Sequence, residues 1–170
     1  MTKLRCFLLL CIVFAGSRAA LATTGTSAGA CQVAYGGSPT YLTTFGMTSA
    51  SSNLLWCPVV VGTTSGNSVT VSSAWFNYYD ASSTQFLYCS PSLVYTSGSQ
   101  WYGRTKYACS TGGGCNDPTS QNTGYGYLAW SGADLPQGFN AFTLYDNSNY
   151  GYYCQIPGGS TSYFFAYGVN

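Results

Sequence analysis

The chain has 170 residues, with five Lys and Arg against four Asp and Glu, and no His. So little charge excludes a basic face for nucleic acid or anionic lipid, and the absence of His excludes the usual Ser-His-Asp and Cys-His catalytic groupings. Sixteen Tyr, nine Phe and four Trp exclude the disordered class, which couples high charge to few aromatics.

In chain order, the first expected element is a leader. Lys3 and Arg5 form a positive start, residues 7–14 an apolar stretch, and Ala20-Leu21-Ala22 a small-residue cleavage pattern. The apolar run is shorter than the ~20 residues of a membrane helix, and Arg18 follows it. Residues 1–22 therefore read as a removable signal peptide, and the product as secreted or periplasmic. Its removal would leave Arg104 and Lys106 against Asp80, Asp117, Asp134 and Asp146, two positive and four negative groups, net −2. Residues 23–30 are small and polar and read as a flexible lead. Residues 31–170 read as one domain, large enough to bury a core.

Strands are expected over 41–47, 54–61, 68–79, 85–95, 104–109, 125–130, 141–145, 150–155 and 162–169, all rich in Tyr, Val, Phe or Thr. No segment keeps a helical period. Within 68–79 the alternation places Val69, Val71, Ser73, Trp75, Asn77 and Tyr79 on one face. Residues 96–99 read as a hairpin turn and 157–160 as the turn into the last strand. Short strands at this spacing predict an all-β fold, a two-sheet antiparallel β-sandwich of Greek-key or jelly-roll type. After the leader, six cysteines remain: Cys31, Cys57, Cys89, Cys109, Cys115 and Cys154. An even number in an exported chain points to three disulfides, with all 15 pairings open to the sequence alone.

An early cysteine (Cys31), the strand Cys57-Pro58-Val59, the turn Tyr79-Asp80, a Cys89 and Cys109 pair near a hairpin, and Cys154-Gln155-Ile156-Pro157 before a strand ending Tyr167-Gly168-Val169 belong together as a pattern. It resembles a group of small exported bacterial β-sandwich proteins with no assigned activity, so the resemblance bears on fold alone. It implies a Cys57–Cys154 bridge between core strands and a Cys89–Cys109 clamp on a hairpin, leaving Cys31–Cys115. A local Cys109–Cys115 loop around three glycines is the rival arrangement.

For chemistry, the sequence holds no G-x-S-x-G elbow, no G-x-G-x-x-G, no P-loop and no C-x-x-C. The four aspartates all sit in turn-like contexts, where Asp commonly bonds its own backbone; a glycosidase would instead need two of them facing across a sugar. Asp146-Asn147-Ser148-Asn149 offers hard oxygen ligands suited to Ca²⁺, against an ordinary turn. No cofactor is expected.

Aromatic residues are the one excess. A buried Tyr hydroxyl needs a partner, which argues for many tyrosines at the surface. Trp101 and Tyr102 precede Arg104, Tyr125 and Tyr127 flank Gly126, and Tyr150, Tyr152 and Tyr153 surround Gly151. Exposed rings cover the C–H face of a sugar; the competing role is cross-strand packing. Trp101, Tyr102, Arg104, Tyr125 and Tyr152 are the candidate ligand contacts, while Trp56, Trp75 and Trp130 are assigned to the core. The expected function is a non-catalytic secreted module for carbohydrate or another cell-surface polymer. The alternatives are a self-associating structural or adhesive envelope protein, or a hydrolase with paired Asp.

Overall fold

The computed structural model describes residues 24–35, 40–42, 46–49, 52–59, 69–118, 123–136, 142–144, 148–158 and 162–170. The expected leader lies outside them. The described strands are β1 (Thr24–Ser27), β2 (Gln32–Tyr35), β3 (Thr40–Leu42), β4 (Met47–Ser49), β5 (Asn53–Val59), β6 (Val69–Val71), β7 (Ser73–Asp80), β8 (Tyr88–Tyr95), β9 (Gln100–Tyr102), β10 (Lys106–Tyr107), β11 (Gly124–Ser131), β12 (Phe142–Leu144), β13 (Ser148–Ile156) and β14 (Tyr163–Val169). Two 3₁₀ turns, Ala28–Ala30 and Gly132–Asp134, join them. Among the described residues no helix is long and apolar enough to cross a membrane.

Two six-stranded antiparallel sheets pack face to face. The first runs β11-β7-β14-β4-β3, with β1 also paired to β14. The second runs β10-β8-β13-β5-β2, with β9 also paired to β8, and β6 and β12 form a separate ribbon. Strict alternation builds each face: Asn53, Leu55, Cys57 and Val59 of β5 are buried, as are Ala74, Phe76, Tyr78 and Asp80 of β7. Their inner faces meet over Phe76, Phe164, Trp130, Tyr152 and Tyr167, all at most 1% exposed. Phe76 stacks on Tyr167 with centroids 5.1 Å apart and meets Phe164 edge-on at 4.7 Å. Such pairs contribute about 0.5–1.5 kcal/mol each beyond area burial.

The core takes tyrosines that the sequence reading sends to the surface. Two of the buried hydroxyls reach carbonyls on the opposite sheet: Tyr152 Oη donates to Gly168 O at 2.6 Å, and Tyr167 Oη donates to Pro58 O at 2.8 Å. Trp130 Nε1 donates to Arg104 O at 2.6 Å. A satisfied donor removes the cost of burying it, and the bonds tie sheet to sheet. Burial pushes the Tyr152 and Tyr167 phenols well up, so both remain donors.

Several expectations are corrected. Thr24–Ser27 is no loose lead but strand β1, paired with Ala166–Val169 of β14. The long strand expected over 68–79 breaks at Ser72, so Val71 is buried in the β6–β12 ribbon although its parity matches outward Ser73. Trp56 and Trp75 lie half-buried on outer faces; only Trp130 of the three is in the core.

The disulfides are Cys31–Cys57, Cys89–Cys154 and Cys109–Cys115. The Cys57–Cys154, Cys89–Cys109 and Cys31–Cys115 pairs implied by the resemblance do not occur, and the rival local loop does. Strand register is the reason. Tyr152, not Cys154, stands opposite Cys57, whereas Cys154 stands directly opposite Cys89. Lys106 holds the other position opposite Cys89, and Gln32 pairs with Trp56, which brings Cys31 beside Cys57.

The Cys109–Cys115 loop joins the two sheets at one side. Tyr107 exchanges two backbone hydrogen bonds with Cys115, and Ala129 N donates to Gly113 O at 2.9 Å. Gly113 and Gly114 hold φ of 86° and 83°, the left-handed region that glycine enters without strain.

Candidate functional site

The segment Gly124-Tyr125-Gly126-Tyr127 opens β11 on the first sheet. Alternation turns Tyr125 and Tyr127 outward and Gly126 inward, above Tyr78. A Cβ on Gly126 would run into the Tyr78 hydroxyl, so glycine is what allows the strand to lie over that ring. Tyr79 of β7 is the cross-strand partner of Tyr125, and Tyr163 of β14 is the partner of Tyr79 on its other side. Three neighbouring strands thus set three tyrosines in one row on the outer face. Ring centroids are 4.8 Å apart for Tyr79–Tyr125 and 5.1 Å for Tyr79–Tyr163, the latter pair stacked.

A bulge between Phe164 and Ala166 inserts Phe165 into β14. Bulges re-aim side chains, and here the Phe165 ring joins the row, 6.3 Å from Tyr125 and 6.2 Å from Tyr163. Tyr127 and Asn77 form the next row inward, and Trp75 follows between Ala129 and Gly168. The outward positions of β7 and β11 carry no ionisable group other than tyrosine.

The Tyr125 and Tyr163 hydroxyls lie 2.9 Å apart, and either can be the donor. This shared hydrogen bond is the main reason that the Tyr163 phenol is pushed up to about 12. It also locks two rings into one orientation. Tyr125 is 71% exposed and Tyr127 49%, so flat apolar rings with hydroxyl tips stand in solvent. A surface of this kind covers apolar C–H groups with ring faces and hydrogen-bonds hydroxyls at its rim.

Of the five contacts expected from sequence, only Tyr125 belongs to this cluster. Trp101 and Tyr102 are neighbours on β9 and alternate in direction, Trp101 aligned with Leu93 and Tyr102 with Ser92, yet both rings are about half exposed, at 49% and 56%. Tyr102 lies on the other sheet, 5.9 Å from Tyr153. Arg104 faces Asp134, Nε to Oδ1 at 3.4 Å, and Lys106 Nζ reaches Asp134 Oδ2 at 2.9 Å. Tyr152 is fully buried and is corrected from a ligand contact to a core residue. The cluster residues that the sequence did not single out are Tyr79, Tyr163 and Phe165. Outward parity on each strand was readable, but their adjacency depends on pairing between distant segments.

Asp80 and Asp134 are otherwise engaged. Asp80 ends β7 with its side chain buried; Oδ1 accepts Ser82 N–H at 2.9 Å and Ser162 Oγ–H at 3.1 Å, the turn role expected for it. Oδ2 has no hydrogen-bond partner among the described residues, and burial raises the carboxyl above its usual range. Asp134 is held by both cations, and Asp117 lies on the exposed stretch after Cys115. Asp146, the Ca²⁺ candidate, lies outside the described residues, among which no cluster of three or more His, Cys, Asp or Glu could hold a metal. Compared with protein-family models, with curated proteins and with solved structures, the chain has no significant match.

Proposed function

We propose that the protein is a non-catalytic exported module that binds a neutral polysaccharide by stacking sugar rings on the Tyr125–Tyr79–Tyr163–Phe165 face. The observation that carries this reading is the row itself: three tyrosines from three adjacent strands, with the end two sharing a hydrogen bond and Tyr125 largely in solvent. A pre-formed face loses little side-chain entropy on binding. Its hydroxyls and the Asn77 amide offer hydrogen bonds, and the lack of formal charge suits an uncharged polymer over an anionic one. Three disulfides fit an oxidising compartment outside the cytosol.

Native affinity electrophoresis in gels containing hydroxyethylcellulose, xylan, galactomannan or soluble starch tests the proposal. At least one polymer should retard the protein. Tyr125→Ala should weaken that retardation about fivefold, equivalent to about 1 kcal/mol, while Tyr125→Phe keeps most of it. Unretarded migration in every gel, or equal retardation of wild type and Tyr125→Ala, overturns the reading.

A further inference from the structure

The outer face of the second sheet carries its own aromatic strip. Trp56 of β5 is the cross-strand partner of Tyr153 of β13, with ring centroids 4.8 Å apart, and Tyr153 lies 5.9 Å from Tyr102 of β9. Gly151 leaves room for this. The Trp56 indole lies across it, and a Cβ there would come within 2.7 Å of the ring and 2.6 Å of Cys57 O. The surroundings are amides and hydroxyls: Tyr88 Oη donates to Gln155 Oε1 at 2.7 Å, and Ser90 Oγ and Thr105 Oγ1 lie 2.6 Å apart. Arg104, two residues beyond Tyr102, and Lys106, which aligns with inward Cys89, are both paired to Asp134. The three rings of the strip thus repeat the chemistry of the first face, flat surfaces beside neutral hydrogen-bonding groups, and the neighbouring cations are paired to a carboxylate.

Resting on the proposed reading of the first face, we infer that this strip is a second site for the same class of ligand, a neutral polysaccharide, and that the protein cross-links two chains. The two aromatic surfaces point in opposite directions from sheets stacked about 10 Å apart. A stiff chain lying along one surface cannot also lie along the other, so full occupancy takes two chains. Linking two weak sites in one rigid body adds avidity on a polymer network without any new contact.

The test uses the full exported protein, beads carrying the polymer that retards it most among hydroxyethylcellulose, xylan, galactomannan and soluble starch, and a fluorescent form of that polymer in solution. Wild type should capture labelled polymer on the beads. Trp56→Ala/Tyr153→Ala should lower capture by about tenfold or more yet still be retarded in the gel, and Tyr125→Ala/Tyr163→Ala should do the same. The fourfold variant should not be retarded at all. Tyr102→Ala, at an exposed edge position that leaves the core intact, should lower capture about threefold or more even if Trp56→Ala/Tyr153→Ala fails to fold. Capture equal to wild type in the second-face variants overturns the second site and leaves the first standing. Retardation by none of the four polymers overturns both.

Discussion

Tyr163 keeps its proton to about 12 because the Tyr125 hydroxyl shares it across 2.9 Å. The face is thus uncharged at this position through neutral and moderately alkaline pH. Tyr125→Phe removes the bonded oxygen and leaves the ring. An absorbance titration of phenolate should then show one tyrosine moving from about 12 toward the ordinary 10.0, and an unchanged titration curve would mean that the two hydroxyls are not paired. Tyr125 and Tyr152 show how little a residue says about its own fate. Both stand in a Tyr-Gly-Tyr triplet, yet one is the most exposed large aromatic described and the other is fully buried. The partners differ accordingly: Tyr152 finds the Gly168 carbonyl across the core, whereas Tyr125 finds a surface neighbour.

At the scale of the strand, the same triplet is read in opposite phase. Gly126 of β11 faces inward over Tyr78, whereas Gly151 of β13 faces outward beneath Trp56. Gly151→Ala is expected to cost about 1–3 kcal/mol, because the added methyl meets the Cys57 backbone carbonyl as well as a ring. Denaturant unfolding measures this, and the displaced indole should change the tryptophan emission of the folded state; wild-type values for both would contradict the packing described. Most strands were legible from β-propensity and alternation. The short ones were not: β1, β2 and β9 have three or four residues each, too few for periodicity to separate from coil. In the sequence, Trp101 and Tyr102 read as one surface, because no strand is expected over Gln100–Tyr102. Once paired with β8, alternation parts the two rings.

Across the whole molecule, sheet edges and cross-links govern stability. The Cys109–Cys115 loop lies along β11, where the Ala129 N–H would otherwise face solvent, and ties that strand to the second sheet through Tyr107. Unprotected edges recruit other chains. Loop-closure entropy predicts a loss of about 4 kcal/mol on replacing Cys89 and Cys154 by Ala, a separation of 65 residues, and about 2 kcal/mol for Cys109 and Cys115, a separation of 6. Denaturant melts should rank the two variants in that order, and sedimentation should show association in the second. The reverse ranking would contradict the loop-entropy account, and a strictly monomeric second variant would show that edge protection by the loop is unimportant.

Composition and local alternation by themselves determined that this chain folds as two stacked β-sheets, that thiols rather than ion pairs brace it, and that aromatic rings exceed what a core readily hides. Those properties follow from each residue and its near neighbours. The tertiary structure alone decided which cysteines meet, which tyrosines face water, and that Tyr79, Tyr125 and Tyr163 form one surface. Each of these depends on the register between strands far apart in the chain, and a shift of one residue in that register would turn every side chain to the opposite face.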